Sequence, residues 1–409
     1  MKTVQLRHLS GAPIVNGLGL PGAHSEPTWP RYVRTTDIAT PTSLREDVFA
    51  SQPPEIARNA PLLKRDIVMT AAGSIGKSTM YMSDDPACFA GFLARFRAND
   101  RTDARFVLHW MQSKHYWDQI VTGAVKSTIE NFSAARYRSL QVPLHSLVDQ
   151  RRIADFLDDR VSRIDRIIAA RRAQYALLDD HLQAIPDSVL STANWQTAAR
   201  FGYAITRIEQ GWSPQCHSEP AEPGEWGVLK VSAIRPGLYR QHENKSLPPS
   251  LQPQRQYEVN PGDLLISRAN TPPRVGIFCC APPDCEPRRI FSDKIMRVQL
   301  GDSVLPQFAS LVGQTRRIRG ALSGAGTGTS GSMVNIRAED IRSLPMPRIS
   351  VADQERVVHE WTARAYAVRT TQDALTRSIE LLTEYKQSLI TAAVTGQLDV
   401  TTASTRIPE

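Results

Sequence analysis

Residues 149–191, DQRRIADFLDDRVSRIDRIIAARRAQYALLDDHLQAIPDSVLS, decide the fold of this chain. Apolar residues recur there in alternating steps of four and three, which is the heptad pattern that a helix presents to a partner helix. The seam consists of Leu157, Val161, Ile164, Ile168, Tyr175, Leu178, Leu182, Ile185 and Val189, with Arg171 as the one polar member. The pattern therefore predicts a long amphipathic helix.

A second stretch of the same kind begins 204 residues later, where Asp149-Gln150 recurs as Asp353-Gln354. A proline-containing segment precedes each copy. The second seam is formed by Trp361, Ala365, Val368, Gln372, Leu375, Ile379, Leu382, Lys386, Leu389 and Ala393. One such stripe is typical of an ordinary packed helix, but two copies at one offset favour a paired coiled coil. We therefore expect two long antiparallel helices that pack against each other.

Both predicted helices carry start and stop signals. Asp149 and Asp353 are the expected N-caps, because a short acidic side chain accepts hydrogen bonds from the free N–H groups of a first helical turn. Gly396 is expected to end the second helix. Pro186 is expected to kink or end the first helix near Ile185, since proline lacks a backbone N–H.

The bulk composition is that of a globular chain with more than one domain. It has 409 residues, of which 41% are hydrophobic and 22% charged. The sequence has no apolar run of membrane-spanning length, and its first residues lack the apolar core of a signal peptide. The five cysteines are odd in number and without CxxC spacing, which argues against a disulfide framework and a zinc site. We therefore expect a cytoplasmic protein with reduced thiols.

Charge divides the chain into lobes and helices. Lys and Arg exceed Asp and Glu by five in residues 1–148 and by six in residues 193–348, whereas residues 149–192 and 349–409 carry net charges of −1 and −2. Two basic lobes suit contact with a polyanion, although an ordinary solvated basic surface is the alternative interpretation. The predicted domains are the first lobe (1–148), the first helix (149–192), the second lobe (193–348), the second helix (349–400) and a tail (401–409).

The two lobes have the character of diverged copies with mixed α/β content and many short strands. Their sequences match in phrases that bracket the loops. The matched pairs are Asp66 with Asp263, Gly76 with Gly276 after a three-residue insertion, Asn131 with Asn335, and Leu140 with Leu344. The loops differ most, and loops are where ligand specificity usually resides.

One motif fits an enzyme. AAGSIGKS (71–78) approximates a phosphate-binding loop, in which Lys77 would contact the phosphates and Ser78 a magnesium ion. Such a loop requires a following helix, but STMYMS (78–83) is β-like, so a polar strand–loop–strand tip is favoured. We find no Gly-x-Ser-x-Gly, His-Glu-x-x-His or Rossmann glycine motif, and no adenine methyltransferase tetrapeptide. The sequence therefore predicts no catalytic and no metal-ligating residue.

The chain resembles the specificity subunit of Type I restriction–modification enzymes. The resemblance covers nearly the whole chain. It is carried by VPLHSLVDQRRIADFL (142–157), MPRISVADQERVVHEW (346–361), LLTEYKQSLITAAVTGQLDV (381–400), GDLLISRAN (262–270) and DIRSLPMP (340–347). It implies an α+β fold with two mixed α/β target-recognition domains, separated by two long antiparallel helices that form a coiled coil, with a pseudo-twofold internal repeat.

The resemblance also implies a function. Each target-recognition domain would read one half of a split double-stranded DNA site, and the helices would set the spacing and dock two methyltransferase subunits. Those subunits would use S-adenosylmethionine to methylate adenine N6. A restriction subunit, where one joins the complex, would use ATP and magnesium. The specificity subunit itself would hold no cofactor and catalyse nothing.

The candidate DNA-binding residues are loop residues able to contact bases or phosphates. In the first lobe they are Arg34, Thr36, Lys64, Ser74, Lys77, Lys126 and Asn131, and in the second they are Lys230, Ser232, Arg268, Asn270, Arg274, Lys294, Thr327, Thr329 and Asn335. Two other classes of function compete with DNA recognition. They are a phosphate-loop nucleotide-binding enzyme and a coiled-coil scaffold that does not bind DNA.

Overall fold

The computed structural model describes residues 2–123, 131–325, 327–330 and 333–400. Two compact units divide the described chain. The first contains residues from 1–172 and 376–409, and the second contains residues 173–375. Each unit therefore combines one lobe with parts of two long helices. In the described ranges, no helix has both the length and the apolar character needed to cross a membrane.

The first lobe consists of short strands and short helices. Its strands are β1 (Thr3–Gln5), β2 (Val15–Asn16), β3 (Arg31–Val33), β4 (Ile38–Thr40), β5 (Ser43–Leu44), β6 (Pro61–Leu62), β7 (Ile67–Thr70), β8 (Ser78–Met80), β9 (Ala87–Phe89), β10 (Leu93–Phe96) and β11 (Gln141–Pro143). Its helices are α1 (Pro54–Ala57), α2 (Ala104–Trp110), α3 (Lys114–Gly123) and α4 (Ala134–Ser139), with 3-10 turns at Leu6–Leu9 and Thr35–Asp37. The first long helix, α5 (Leu147–Val189), follows.

The second lobe repeats this order. Its strands are β12 (Ala199–Arg200), β13 (Ile205–Gln210), β14 (Gly227–Leu229), β15 (Ile234–Arg235), β16 (Leu238–Tyr239), β17 (Asn244–Ser246), β18 (Leu264–Ser267), β19 (Ala269–Asn270), β20 (Phe278–Cys280), β21 (Arg289–Phe291), β22 (Ile295–Leu300), β23 (Thr327–Ser330), β24 (Met333–Asn335) and β25 (Pro345–Met346). Its helices are α6 (Pro306–Gly313), α7 (Arg316–Ala325) and α8 (Ala338–Arg342), with 3-10 turns at Phe201–Tyr203, Val231–Ala233, Arg255–Tyr257 and Pro272–Arg274. The second long helix is α9 (Val351–Val394).

The four-stranded sheets have the same topology in both lobes. An antiparallel sheet of order β2-β10-β7-β8 in the first lobe corresponds to β13-β22-β18-β20 in the second. Each lobe also contains a parallel pair, β3 with β9 and β14 with β21. The first strand of each lobe pairs with the last, as β1 with β11 and β12 with β25. Shared topology of this extent supports an internal repeat.

Matched aspartates support the alignment of the two lobes. The buried Asp66 forms an ion pair with Arg97 at 2.6 Å, and the half-buried Asp263 pairs with Arg297 at 3.2 Å. Each aspartate directly precedes the first strand of the central hairpin, whereas the arginines differ in register, because Arg297 is opposite Leu265 as Arg95 is opposite Val68. A buried carboxylate needs such a partner, since an unpaired charge is costly in the interior. The predicted correspondence of Asp66 and Asp263 is therefore a structural equivalence.

The long helices begin at serine, which corrects the predicted N-caps. The N–H of Asp149 donates to Ser146 Oγ at 3.1 Å, and Ser146 Oγ donates to the Asp149 carboxylate at 2.6 Å. Ser350 and Asp353 form the same pair at 3.1 and 2.7 Å, and the hydrogen bond from Ser350 lowers the pKa of Asp353. Each serine is thus the N-cap, and each aspartate is the third helical residue, whose N–H and carboxylate both bond to the capping hydroxyl. Both residue types cap helices, so the sequence rule selected the wrong partner.

Gly396 ends the second helix as predicted, whereas the first helix continues past Pro186. Gly396 has a left-handed φ of +72°, and its N–H donates to the Ala393 carbonyl at 3.2 Å, so it ends α9 as expected. Pro186 does not end α5 near Ile185, because the helix continues to Val189. The proline lies in the last turn, where Ile185 and Val189 are buried in the core of the second unit. Burial of these side chains offsets the hydrogen bond that proline cannot donate.

Each unit packs one end of each long helix into a lobe core. In the first unit, Leu157 of α5 and Ala393 of α9 share a core with Trp110. In the second unit, Ile185 of α5 and Trp361 of α9 share another core. The heptad seams are therefore buried against the lobes at these positions.

A buried glutamine attaches each lobe to its helix. Gln150 Oε1 accepts from the N–H of Asp103, the residue that caps α2, at 2.9 Å, and Gln150 Nε2 donates to the His145 carbonyl at 3.0 Å. Gln354 makes the corresponding bonds, accepting from the N–H of Leu305 at 2.9 Å and donating to the Ile349 carbonyl at 3.2 Å. The repeated Asp-Gln pair is thus a structural junction in which both side chains have defined partners.

Replacing Gln150 or Gln354 with alanine is expected to lower the free energy of unfolding by about 1–3 kcal/mol, because buried backbone groups lose their partners. Gln183→Ala is the control, since Gln183 is exposed on α5 and bonds only to Asp179 of the same helix. Its effect should be about 0.5 kcal/mol or less. Denaturant unfolding measures all three variants, and equal stability of Gln150→Ala and Gln183→Ala would contradict the junction.

Candidate nucleic-acid interface

The first lobe presents a hairpin loop, residues 71–77, between β7 and β8. Thr70 closes this loop with its hydroxyl, which donates to the Ser74 carbonyl and accepts from the N–H of Lys77 at 3.1 Å. The N–H of Gly76 donates to the Thr70 carbonyl at 3.2 Å, and that of Ile75 to the Gly73 carbonyl at 2.9 Å. The loop is therefore held by bonds within itself.

These hydrogen bonds argue against the interpretation of residues 71–78 as a phosphate-binding loop. A phosphate loop offers free backbone N–H groups at the start of a helix. Here the N–H groups of Ile75, Gly76 and Lys77 are donated inside the loop, and the residues that follow form strand β8. The geometry gives no support to a nucleotide site at AAGSIGKS.

The second lobe closes its hairpin loop in the same way. The hydroxyl of Ser267 donates to the Arg274 carbonyl at 2.8 Å and accepts from the N–H of Ile277 at 2.8 Å. The N–H of Gly276 donates to the Ser267 carbonyl at 2.7 Å. Gly276 has φ +65° and Gly76 has φ +85°, so both loops turn through a left-handed glycine, as their alignment predicted.

Different side chains support the two loops from below. In the first lobe, Tyr116 Oη donates to the Gly76 carbonyl at 3.0 Å, and Tyr137 Oη donates to the Thr70 carbonyl at 2.7 Å. Burial raises the pKa of both tyrosines, so each phenol keeps the proton that it donates. In the second lobe, the guanidinium of Arg319 donates to the carbonyls of residues 273, 275 and 276 at 2.9, 2.8 and 2.6 Å. Sequence reasoning missed these supports, since nothing local marks them.

Three predicted residues of the first lobe come together at this loop. Ser74 and Lys77 lie on the loop, and Asn131 forms a β-bridge with Ala72 beside it. All three predicted residues are exposed. Lys126 lies outside the described residues. The loop thus offers a hydroxyl, a cation and an amide on one surface.

The remaining predicted residues of the first lobe lie elsewhere and have partners of their own. Arg34 forms an ion pair with Asp37 at 2.9 Å, and Thr36 Oγ1 donates to the same buried carboxylate at 3.0 Å. Lys64 pairs with Asp84 at 2.6 Å and precedes β7, whereas the hairpin loop follows that strand. These contacts give Arg34, Thr36 and Lys64 structural roles that the sequence does not reveal.

In the second lobe, the predicted residues are more concentrated. The N–H of Arg268 donates to the Lys294 carbonyl at 2.7 Å, which joins the end of β18 to the turn before β22. Asn270 lies on β19, which pairs with β24, where Ala269 is opposite Asn335. Asn335 therefore occupies the same bridging position as Asn131 in the first lobe. Arg268, Asn270, Lys294 and Asn335 lie around one short sheet.

Strand β23 continues this sheet and carries Thr327 and Thr329, of which only the backbone is described. Arg274 is exposed and lies in the 3-10 turn of the hairpin loop. Lys230 and Ser232 follow β14, at the end of the parallel β14–β21 pair where Lys294 follows β21. The predicted residues of this lobe therefore gather at one end of its sheets.

Acidic side chains lie beside two of the predicted residues on this surface. The Lys294 ammonium is 3.7 Å from the Asp293 carboxylate. Ser232 Oγ donates to the Glu243 carboxylate at 2.7 Å, and that bond lowers the pKa of Glu243. Such acidic neighbours orient the polar groups before any ligand is bound.

The cysteines do not form a reactive site. All five are free, and burial raises the pKa of Cys88 and of Cys280 to about 12 in each case. Thiols of this kind stay protonated and are poor nucleophiles. In the part of the chain that the structure describes, no cluster of His, Cys, Asp and Glu is arranged to hold a metal ion.

The known proteins to which this chain is similar in sequence are specificity subunits of Type I restriction enzymes. The chain is 38% identical over 162 residues to the Type I restriction enzyme EcoEI specificity subunit of Escherichia coli, a match covering 39% of this chain and 27% of that relative. It is 22% identical over 349 residues to the EcoKI specificity subunit of Escherichia coli strain K12 and 19% identical to the StySPI specificity subunit of Salmonella potsdam. Each of these matches covers 81% of this chain and 74% of the relative. No family model matches the chain.

Solved structures share the fold. A chain from a structural study of complex assembly and conformational transition in the type I R-M system has a TM-score of 0.73 at 15% identity, covering 97% of this chain and 98% of that chain. The HsdS subunit from Thermoanaerobacter tengcongensis has a TM-score of 0.52 at 17% identity, with 97% of both chains covered. The resemblance to Type I specificity subunits that the helix motifs carry is thereby confirmed.

Replacing Arg319 with alanine is expected to loosen the second hairpin loop. The amides of residues 274–276 should exchange with solvent at least about tenfold faster, the factor that corresponds to one lost charged hydrogen bond. Arg317→Ala is the control, because Arg317 lies on the same helix over the ring of Trp195. Hydrogen exchange followed by mass spectrometry measures both variants. Unchanged exchange in Arg319→Ala would show that the loop does not depend on this side chain.

Proposed function

We propose that this chain is the DNA sequence-recognition subunit of a Type I restriction–modification complex, in which each lobe reads one half of a bipartite DNA site. One observation carries the proposal. Both lobes place a hairpin loop, closed by the same hydroxyl bonds, beside polar residues with the chemistry of base and phosphate contacts. Two equivalent lobes with different loops suit two different half-sites.

The available side chains match the common modes of DNA recognition. Arginine contacts guanine and asparagine contacts adenine in the major groove through paired hydrogen bonds. Arg268, Asn270 and Asn335 of the second lobe and Asn131 of the first have these capacities. Lys77 and Lys294 suit phosphate contacts, which fix the register of a protein on the duplex. The recognition chemistry would therefore come from loops held on rigid strands.

The long helices would pair antiparallel and act as a spacer. In the first unit, Asp165 of α5 pairs with Lys386 of α9 at 2.6 Å, and His145 before α5 donates to the Val394 carbonyl at 2.8 Å. Residue numbers thus rise along one helix as they fall along the other. In the second unit, Arg364 contacts Ser188 at 3.4 Å. These contacts support an antiparallel coiled coil, with domain limits at 1–148, 149–192, 193–348 and 349–400.

The partners follow from the same proposal. Two methyltransferase subunits would dock on the helices and supply S-adenosylmethionine for adenine N6 methylation. A restriction subunit would add ATP-dependent cleavage where the system contains one. The role of this chain would be to bind and orient the DNA, without catalysis of its own, in the cytoplasm.

Exchange of the first lobe tests whether the half-sites are read separately. Residues 1–143 are replaced by the equivalent lobe of another specificity subunit, which keeps β1 and its partner β11 together. The methylated motif, determined by sequencing modified adenines, should change in one half only. The reciprocal exchange of residues 199–346, bounded by the paired strands β12 and β25, should change only the other half.

A motif altered in both halves by one exchange would contradict separate recognition. If the wild-type complex with its methyltransferase subunits shows no salt-dependent DNA binding, the scaffold alternative would hold instead.

Lengthening a helix tests the spacer. Four residues inserted into α5 after Arg172 lengthen it by about 6 Å at ~1.5 Å per residue. The methylated motif should keep both half-sites and gain about two base pairs in its gap, since base pairs are spaced by ~3.4 Å. The control inserts four residues after Ser250, in a surface segment of the second lobe. An active helix variant with an unchanged gap would show that the helix does not set the spacing.

A further inference from the structure

An exposed phenylalanine lies beside the hairpin loop of the first lobe. Phe92 is 66% exposed on the tight turn between β9 and β10. The N–H of Leu93 closes this turn by donating to the Ala90 carbonyl at 2.9 Å. The N–H of Ala71, the first residue of the loop, donates to the Phe92 carbonyl at 2.7 Å. The turn is therefore joined directly to the loop that carries Ser74 and Lys77.

The turn is held rigidly on its other side. The N–H of Gly91 donates to the Leu18 carbonyl at 2.6 Å, and Asn16 Nδ2 donates to the Gly91 carbonyl at 2.9 Å. A Cβ on Gly17 would lie 2.0 Å from the carbonyl oxygen of Phe89, so the two segments pack without room for a side chain. The backbone that presents the Phe92 ring to solvent is therefore held in place.

The second lobe has a charged residue at the equivalent position. The N–H of Ile295 donates to the Ser292 carbonyl at 2.9 Å, as that of Leu93 does to the Ala90 carbonyl. The N–H of Arg268 donates to the Lys294 carbonyl at 2.7 Å, and that of Ala71 donates to the Phe92 carbonyl at the same distance. Phe92 therefore stands where the other lobe has Lys294, one of its candidate DNA contacts.

We propose that Phe92 is a specificity-determining residue that contacts the C5-methyl group of a thymine in the major groove of the first half-site. The inference deepens the proposed function and rests on it. A phenylalanine ring has no donor, acceptor or charge, so it cannot hold a phosphate or read a base by hydrogen bonds. Within the major groove of paired DNA, apolar contact with the thymine methyl is the contact by which such a ring distinguishes one base from another. The neighbouring Ser74, Lys77 and Asn131 supply the polar contacts that the ring lacks.

The test uses the complete complex of this chain with its methyltransferase subunits and duplexes that carry its methylated motif. Each thymine of the first half-site is replaced in turn by deoxyuridine, which removes only the methyl group. At one thymine, the wild-type complex should lose about fourfold in affinity, the factor expected for burying one methyl group. Phe92→Ala should bind the thymine and deoxyuridine duplexes equally. Phe92→Leu, which keeps an apolar side chain, should retain part of the difference.

Leu63→Ala is the matched control, because Leu63 is 54% exposed in the same lobe. Leu63 lies before the start of β7, whereas the hairpin loop beside Phe92 follows the end of that strand. This variant should keep the wild-type difference between thymine and deoxyuridine. Deoxyuridine in the second half-site should affect the wild type and Phe92→Ala alike. Phe92 is exposed and makes no described side-chain hydrogen bond, so its variants should fold and can be checked by unfolding.

Three results would overturn the inference. In one, no thymine of the first half-site depends on its methyl group. In another, Phe92→Ala keeps the fourfold difference. In the third, Phe92→Ala weakens both duplexes equally, which would indicate stacking instead of methyl contact. Each leaves sequence-specific binding by the wild type intact, so the proposed function survives. Absence of sequence-specific binding by the wild-type complex would overturn both.

Discussion

The junction between each lobe and its long helix depends on one buried amide. Gln150 and Gln354 each accept from a backbone N–H at the start of a lobe helix and donate to a carbonyl just before the long helix, that of His145 or of Ile349. Because an amide has both donors and an acceptor, one side chain fixes the two segments in distance and orientation. Loss of either bond inside the core would cost more than the bond contributes, so the junction is strongly specified. Each lobe is therefore attached firmly to the start of its own long helix.

The two lobes conserve their frame and vary what supports the loop. The strand order of the four-stranded sheet, an aspartate before its hairpin that pairs with an arginine, and the left-handed glycines are common to both. The support under the hairpin loop is a pair of tyrosines in one lobe and Arg319 in the other. The physical requirement is a donor to carbonyls that point into the protein, and either chemistry meets it. The frame is thus constrained by packing, and the loop surface is left for recognition.

Sequence reasoning succeeded where a pattern is long and failed where one contact decides. The two helices follow from heptads that extend over many turns, so local exceptions such as Pro186 change only the last turn. The N-cap is Ser146 and not the predicted Asp149. Both side chains can cap a helix, and only their mutual hydrogen bonds distinguish them. Arg34 is a predicted DNA contact, and its ion pair with the buried Asp37, three residues away, is not apparent from the sequence. Phe92 is not among the residues predicted to contact DNA, because nothing in the sequence marks a lone apolar residue in a turn as exposed.

The hydroxyl that closes each hairpin loop has a consequence for how such proteins diversify. Ser267 makes the same two bonds as Thr70, although its loop contains three more residues before the accepting carbonyl. The closing bonds therefore isolate the tip from the strands below it. Length and composition of the tip can change while the sheet keeps its register and its core. The tip of such a loop can therefore be replaced without a change in the strands that carry it. Mutations in the tip accumulate at little cost to folding, and new binding preferences can arise faster than new folds.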